Sequence, residues 1–327
     1  MTNTLRTANK TVGILSNPLS GRIKNNISAI RNLVKTIPGE IYREASTQSE
    51  FESVLDEFAR MKLDLLVIIA GDGTIHAVLS TIFGKQIFSP LPMLAIIPGG
   101  TTNMTAKDFH VSGNPAKVLS RLALRLSNSG PYPYITRPVL CIQNGDGMPL
   151  YGMFFGTGII VEGVKFFHKR VRGAGLTGEK ASAIVFFRYL FSLLFGGSGI
   201  DSGNINIDIQ NNDDAGRNED CLLLFATSLN RLLFGSHPYW GGEQAPIHVT
   251  IVRQSPGKLW RSLLPLLRGR GKGLSEADGY CSHNVPALSL KMEGDFIIDG
   301  EIYTASQKKA AIRISAHETI SVIELSA

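Results

Sequence analysis

The stretch LDLLVIIAGDGTIHAVLSTIF, residues 63–83, decides the fold. Its first half is a continuous apolar run, rich in β-branched residues and bounded by glycine. Such a run suits a strand covered on both faces, as in a parallel sheet. The second half, TIHAVLSTIF, reads as a helix. Between them stand Gly71, Asp72, Gly73 and Thr74, a carboxylate between two glycines followed by a hydroxyl. Ligands of open α/β sheets bind outside the carboxyl ends of the strands. A helix starting there aims N–H groups and the positive end of its dipole at the ligand, and glycine lets the backbone approach a phosphate closely. A carboxylate repels a bare phosphate, so Asp72 implies a Mg²⁺ between the two. Thr74 caps the helix or bonds a phosphate oxygen. The same four residues also fit a tight strand-to-helix turn with Asp72 as its N-cap.

Outward from this stretch the pattern repeats. Residues 11–16, TVGILS, read as a buried strand that ends in Asn17, Pro18, Leu19, Ser20 and Gly21. Ile27, Ile30, Val34 and Ile37 then fall at helical spacing. A second helix is expected over residues 50–61, with Phe51, Val54, Leu55 and Phe58 on one face. MLAIIPG, residues 93–99, is another buried strand, followed by Gly99, Gly100, Thr101, Thr102 and Asn103. The order β-α-α-β-α-β-α up to about residue 135 is that of a layered α/β domain. NPLSG, GDGT and PGGTTN each follow an apolar strand and precede a helix. On one edge of one parallel sheet they would make a triphosphate cradle.

Beyond the linker Pro131-Tyr132-Pro133-Tyr134 the texture changes. ITRPVLCIQN, LYGMFFGTGI, NINIDIQ, CLLLFATSL, IHVTIVRQ, ALSLKM, AAIRISA and ETISVIEL read as short strands, with NNDDAGRNED, 211–220, a polar turn between two of them. Many short strands with polar turns suggest an antiparallel sandwich or barrel. One helical insertion is expected at residues 179–195. The fold class is α/β: an N-terminal layered α/β nucleotide-binding domain, residues 1–135, then a β-rich domain, residues 136–327. Its last strand is expected to pack back on the first domain.

Composition narrows the function classes. The chain has 327 residues, 43% of them hydrophobic, enough for one large domain or two modest ones. Only 18% are charged, so no part reads as a disordered polyelectrolyte, and the net charge of +6 suits an anionic partner. The three cysteines, Cys141, Cys221 and Cys281, are widely spaced, which fits a reducing, cytoplasmic setting rather than a disulfide framework. MTNTLRTANKTVGIL holds no apolar leader, so no secretory signal is expected. AIVFFRYLFSLLF, 183–195, carries Arg188 and is short for a bilayer span. It is a buried helix or the lining of an acyl-chain pocket. The basic segments HKRVR, 168–172, and RGRGK, 268–272, are solvated charge or a contact with an anionic membrane surface.

Several motifs lead away from other chemistries. GAGLTG, 173–178, matches a dinucleotide fingerprint, but FFHKRVR before it is too basic for the buried strand that motif needs. It also nearly matches a P-loop, with Glu179 where lysine is required. The seven histidines form no metal-binding pattern, and His76 reads as a helix-surface residue. No GxSxG follows a strand. Near the end, GDFIIDGEIYT, 294–304, sets Asp299 and Glu301 around Gly300. On an extended strand these carboxylates share a face and would shift one another's pKa. The Asp-Gly pair alone favours a hairpin turn.

In this order, SNPLSG, AGDGT, PGGTTN and Asp299-Gly300-Glu301 resemble the diacylglycerol kinase catalytic-domain family, which includes bacterial lipid kinases and sphingosine and ceramide kinases. The resemblance spans nearly the whole chain. It implies an ATP-dependent lipid kinase with an α/β nucleotide domain, a β-rich lipid domain and a site in the cleft between them. It implies ATP held by Asn17, Pro18, Leu19, Ser20 and Gly21, by Gly71, Asp72, Gly73 and Thr74, and by Thr101 and Asn103. Thr47, near the start of the second helix, would add a nucleotide contact. Mg²⁺ would be organised by Asp72. Glu301 would be the general base that takes the lipid hydroxyl proton, with Asp299 beside it. The acceptor would be a diacylglycerol- or sphingoid-like lipid met at a membrane surface, with no role for nucleic acid.

The sequence departs from the family's pattern at Ala70, where glycine is usual, at Ala77, where glutamate is usual, and at Met104, where aspartate often stands. Lys107-Asp108 fits a variant of the last. The family's Asp-rich turn is missing, because GGEQAP runs directly into IHVTIV. An NAD-kinase-like activity and a non-catalytic lipid-binding relative are the alternatives. PGGTTN and the late Asp-Gly-Glu weigh against the first, and retention of Asp72, Asp299 and Glu301 against the second.

Overall fold

The computed structural model describes residues 11–128, 132–170, 204–209, 217–254, 274–305 and 311–325, with isolated positions between 256 and 271. The chain divides into two compact units, Met1–Arg137 with Thr319–Ala327, and Pro138–Glu318. It passes from one to the other within two strands, β5 (Tyr134–Asn144) and β15 (Ile312–Ile323). The α/β character of the first unit and the antiparallel, β-rich character of the second are as the sequence predicts.

The first unit is built on β1 (Val12–Ser16), β2 (Glu40–Glu44), β3 (Leu65–Ala70) and β4 (Met93–Pro98). They lie in the order β2-β1-β3-β4, all parallel. The outer part of β15 joins β4, with Val322 opposite Leu94. β3 is buried at all six positions, as its unbroken apolar run requires. Helix α2 (Ile27–Val34) packs against α6 (Pro115–Ser127), and α3 (Gln48–Arg60) against α4 (Asp72–Gly84). Their apolar stripes face inward: Ile30 and Val34 from α2, and Phe51, Val54, Leu55 and Phe58 from α3. Two short helices, α1 (Gly21–Lys24) and α5 (Met104–Asp108), follow the first and third glycine-bearing loops.

Strand register sets the site. Ser16 pairs with Glu44 on one side and Ile69 on the other, and Ala70 pairs with Pro98. The strands therefore end level. The loops that begin at Asn17, Gly71 and Gly99 open on one carboxyl edge, as the triphosphate-cradle reading requires.

In the second unit the order β14-β13-β7-β9-β8-β12-β15 is antiparallel throughout. These strands are β7 (Phe154–Gly158), β8 (Asn204–Ile209), β9 (Arg217–Thr227), β12 (Ala287–Lys291), β13 (Asp295–Ile298), β14 (Glu301–Thr304) and the inner part of β15. β9 also pairs with β10 (Ile247–Arg253), which carries β11 (Tyr280–Val285). Leu140, Phe155, Leu224, Val249, Leu290, Phe296 and Ile314 form the centre of its core.

The structure corrects several expected elements. β2 is an extra strand in the first half. Its sequence, EIYRE, is charged at three of five positions and half-buried throughout, as suits an edge strand. LYGMFFGTGI is not one strand. It splits at Met153 into β6 (Leu150–Gly152) and β7, and helix α7 (Ile159–Arg170) starts at once after Gly158. His168, Lys169 and Arg170, which argued against a strand before GAGLTG, belong to that helix. β9 begins at Arg217, inside the expected polar turn. AAIRISA and ETISVIEL join into the single strand β15. The helix expected at 179–195 and GAGLTG lie outside the described residues.

Candidate functional site

Three loops meet at the carboxyl edge of the first sheet, and their own polar groups stitch them together. Asn17 is the hub of the first. Its side-chain oxygen accepts from the Leu19 N–H at 2.9 Å, its amide nitrogen donates to the Thr74 hydroxyl at 2.8 Å, and its backbone N–H donates to Ile69 O at 3.1 Å. Arg22 N donates to Gly99 O at 2.9 Å, which joins the first loop to the third. Leu19 stands exposed at the tip between Pro18 and Ser20, and the Thr101 hydroxyl lies next to Gly21. Gly71 and Gly100 bring two backbones together. A Cβ on Gly71 would lie 2.9 Å from the Cα of Gly100, and one on Gly100 2.7 Å from the Cα of Gly71.

Asp72 locks the second loop to the third. Its carboxylate accepts from the Thr102 hydroxyl at 2.7 Å and from the Met104 and Thr105 N–H groups at 3.0 Å each. Asn103 closes the same loop on itself. It sits in the left-handed region at φ 48°, which asparagine tolerates. Its side chain accepts from Gly100 N at 2.7 Å and donates to Gly100 O at 2.8 Å. Asp72 and Asn103 are both buried. They build the cradle from within.

α4 opens at Gly71 with no side-chain cap. The N–H groups of Asp72 and Gly73 have no acceptor among the described residues, so this helix end, with its positive dipole, fits an anionic phosphate. The expected Mg²⁺ at Asp72 fits less well. Three of the roughly four lone-pair positions of its carboxylate are filled by donors, which leaves about one, on Oδ1, for a cation. Among the described residues no group of three Asp, Glu, His or Cys is placed to hold a metal. In the structure Asp72 fastens the second loop to the third.

Thr47 also has a local occupation. It is the N-cap of α3, accepts from Glu50 N, and forms a complete capping box with the Glu50 side chain. His76 is buried within α4 rather than on its surface.

Asp299 and Gly300 form the two-residue loop of the β13–β14 hairpin, at φ 48° and 90°. Positive φ at both positions is what a type I′ turn demands, so the hairpin reading of Asp-Gly holds. Asp299 is consequently not on a strand, and the expected sharing of a strand face with Glu301 does not arise. The buried Asp299 carboxylate accepts from Met153 N at 2.9 Å and from Phe154 N at 2.9 Å, while Asp299 N donates to Phe154 O at 3.0 Å. Glu301 is half-exposed, and its carboxylate has no hydrogen-bond partner among the described residues. Tyr303, two residues on, stacks on Phe296 with ring centroids 5.8 Å apart. Its hydroxyl is pushed up to about 12, first by burial and then by the negative charges of Glu301 and Asp299. The structure thus separates the two carboxylates into one that anchors and one that is available.

Sequence reading missed the residues at the end of β2, because β2 itself was missed. Its last residue, Glu44, accepts from Arg31 and Tyr42, and Arg43 on the opposite face pairs with Glu57. The only signal was the alternation of EIYRE.

Residues 11–130 match the family model described as the diacylglycerol kinase catalytic domain. No curated protein sequence matches the chain. Among solved structures, a protein of Bacillus anthracis str. Sterne provisionally assigned as a diacylglycerol kinase is 18% identical, with a TM-score of 0.62 over 96% of this chain and 97% of that one. A second structure from the same organism, described as a diacylglycerol kinase, gives a TM-score of 0.61 at 18% identity and the same coverage. At that identity the likeness shows a shared fold.

Proposed function

On the premise that residues 11–130 match the diacylglycerol kinase catalytic domain, we propose that the chain transfers the γ-phosphoryl group of ATP to a lipid hydroxyl. The observation that carries this reading is the bonding of SNPLSG, AGDGT and PGGTTN into one carboxyl edge, with an uncapped helix end among them. Phosphoryl transfer asks a protein chiefly for positioning, charge stabilisation and a proton acceptor. Asn17 through Gly21, Gly71 through Thr74, Thr101 and Asn103 form the nucleotide cradle, some by contact and Asp72 and Asn103 by holding the loops. ATP supplies the transferred group together with its magnesium.

Glu301 is the proton acceptor. Its carboxylate is solvent-reachable and unbonded among the described residues, so it can take a hydroxyl proton without breaking a structural tie. Asp299 holds the turn that presents it. The acceptor is a diacylglycerol- or sphingoid-like lipid, met at a membrane surface by a chain with a net charge of +6. No described helix is long and apolar enough to cross a membrane.

Labelled ATP offered with a panel of lipids, and separately with NAD, tests the reading. A lipid should carry the label. In Glu301→Gln the transfer rate should fall by roughly 10²–10⁴-fold, with ATP affinity kept. Label on NAD alone, or wild-type transfer by Glu301→Gln, would defeat it.

A further inference from the structure

The carboxyl edge of the first sheet carries a second polar cluster that the phosphate loops do not use. β2 ends at Glu44, opposite Ser16, the residue immediately before the Asn17 loop, and Ala45 N donates to Ser16 O at 3.0 Å. Glu44 is therefore one strand spacing, about 4.8 Å, from the start of that loop. Tyr42 and Glu44 alternate onto the same face of β2, towards α2. From α2, Arg31 reaches down and binds the carboxylate with both prongs, Nε to Oε1 at 2.7 Å and Nη2 to Oε2 at 2.8 Å. The Tyr42 hydroxyl donates to Oε1 at 2.6 Å.

As a device for stability this is a poor investment, since exposed ion pairs contribute little. As a device for presenting a carboxylate it is effective. Three donors fix both oxygens and leave about one lone-pair position, on Oε2. The Nη1 group of Arg31 has no acceptor among the described residues. Both side chains remain reachable, at 24% exposure for Glu44 and 52% for Arg31.

The topology says what such a carboxylate faces. β1 sends its connection to the helix layer of α2, and β3 sends its own to the layer of α3 and α4. A crevice opens outside the strand ends where neighbouring connections diverge in this way, and nucleotides bind there. With phosphates at the α4 end, over β3, the sugar extends across β1 towards β2. In dinucleotide-binding sheets of this class an acidic side chain downstream of the first phosphate loop takes a ribose hydroxyl, and Glu44 ends the strand beside β1, which carries the Asn17 loop.

The geometry points to Glu44 as the ribose-binding residue of the nucleotide site, with Arg31 and Tyr42 as the residues that position it. This rests on the ATP reading above. It adds a nucleoside contact three positions before Thr47, which also caps α3.

The test is direct binding, independent of transfer. ATP, 2′-deoxyATP and 3′-deoxyATP, each with Mg²⁺, are titrated into the full chain by calorimetry. A hydrogen bond to a charged acceptor is worth about tenfold to a hundredfold in affinity, so the wild type should prefer ATP over at least one deoxy analogue by that factor. In Glu44→Ala the preference should fall to near one, and in Tyr42→Phe, which keeps the ring and loosens the carboxylate, to an intermediate value. Melting curves establish that both variants are folded, and Tyr42→Phe carries the test if Glu44→Ala is not. ATP binding without any preference in the wild type, or an unchanged preference in the variants, overturns this inference alone. Failure of the wild type to bind ATP at all overturns it together with the kinase reading.

Discussion

Asp72 shows how far a residue's chemistry depends on its neighbours. Between two glycines it reads as a group placed for magnesium. In the structure its oxygens are taken by Thr102, Met104 and Thr105. Hydrogen bonds to a charged group contribute roughly 1.5–3 kcal/mol each, though three in one network do not add. Asp72→Ala should therefore destabilise the first unit by about 3 kcal/mol, lower its melting temperature and speed amide exchange at Met104 and Thr105. An unchanged melting temperature with lost ATP binding would return Asp72 to the metal. The partners that redefine it lie some thirty residues away in sequence, a separation that no local motif can express. Asp299 is the same case. Its turn was legible from Asp-Gly, but its anchoring to Met153 and Phe154 spans 146 and 145 positions.

Elements were legible where one pattern dominated. β3 is apolar at every position, α3 carries a clean stripe, and both form as read. β2 was not, because it mixes charge with apolar residues over only five positions, and α7 was not, because its apolar start continues directly from β7. Thr47, which the family resemblance implies for the nucleotide, also serves an element as the N-cap of α3. Its capping box satisfies otherwise unpaired N–H groups at the start of α3. Thr47→Ala should cost about 1 kcal/mol of stability, read as a lower melting temperature, while ATP affinity holds. A large loss of affinity with unaltered melting would restore the threonine to the nucleotide site.

Across the whole molecule, carboxylates tie neighbouring elements. Arg31 holds the Glu44 carboxyl below its ordinary range, Arg43 does so for Glu57, Lys85 for Glu52, and the Thr304 hydroxyl and Lys165 for Asp295. Each folded-state value lies below the unfolded one, so the unfolded chain binds more protons in the interval between them. The stability they contribute is complete above the ordinary carboxylate values, about 4, and is lost as pH falls through the lowered ones. The melting temperature should be level from about pH 7 to 5 and drop below about pH 4. A maximum near pH 4 would contradict this. The first unit also depends on its last segment. Ile320, Val322, Ile323 and Leu325 are buried, and Arg125 donates to Glu324 O at 2.8 Å. Removing single buried aliphatic side chains costs roughly 2–5 kcal/mol, so deletion of residues 319–327 should abolish cooperative melting of the first unit. A truncated chain that melts like the parent would show that segment to be dispensable.

That return of β15 has a consequence for biosynthesis. Residues 138–318 intervene between the two parts of the first unit. A ribosome adds about 5–20 residues per second, so an emerging chain holds β4 paired with β3 but without its outer neighbour for on the order of ten to forty seconds. Through that interval the apolar flank of Leu94 is open to any other unpaired strand. The nascent first unit therefore stays incomplete until its last strand emerges, and slower translation of the second unit would lengthen that interval rather than relieve it.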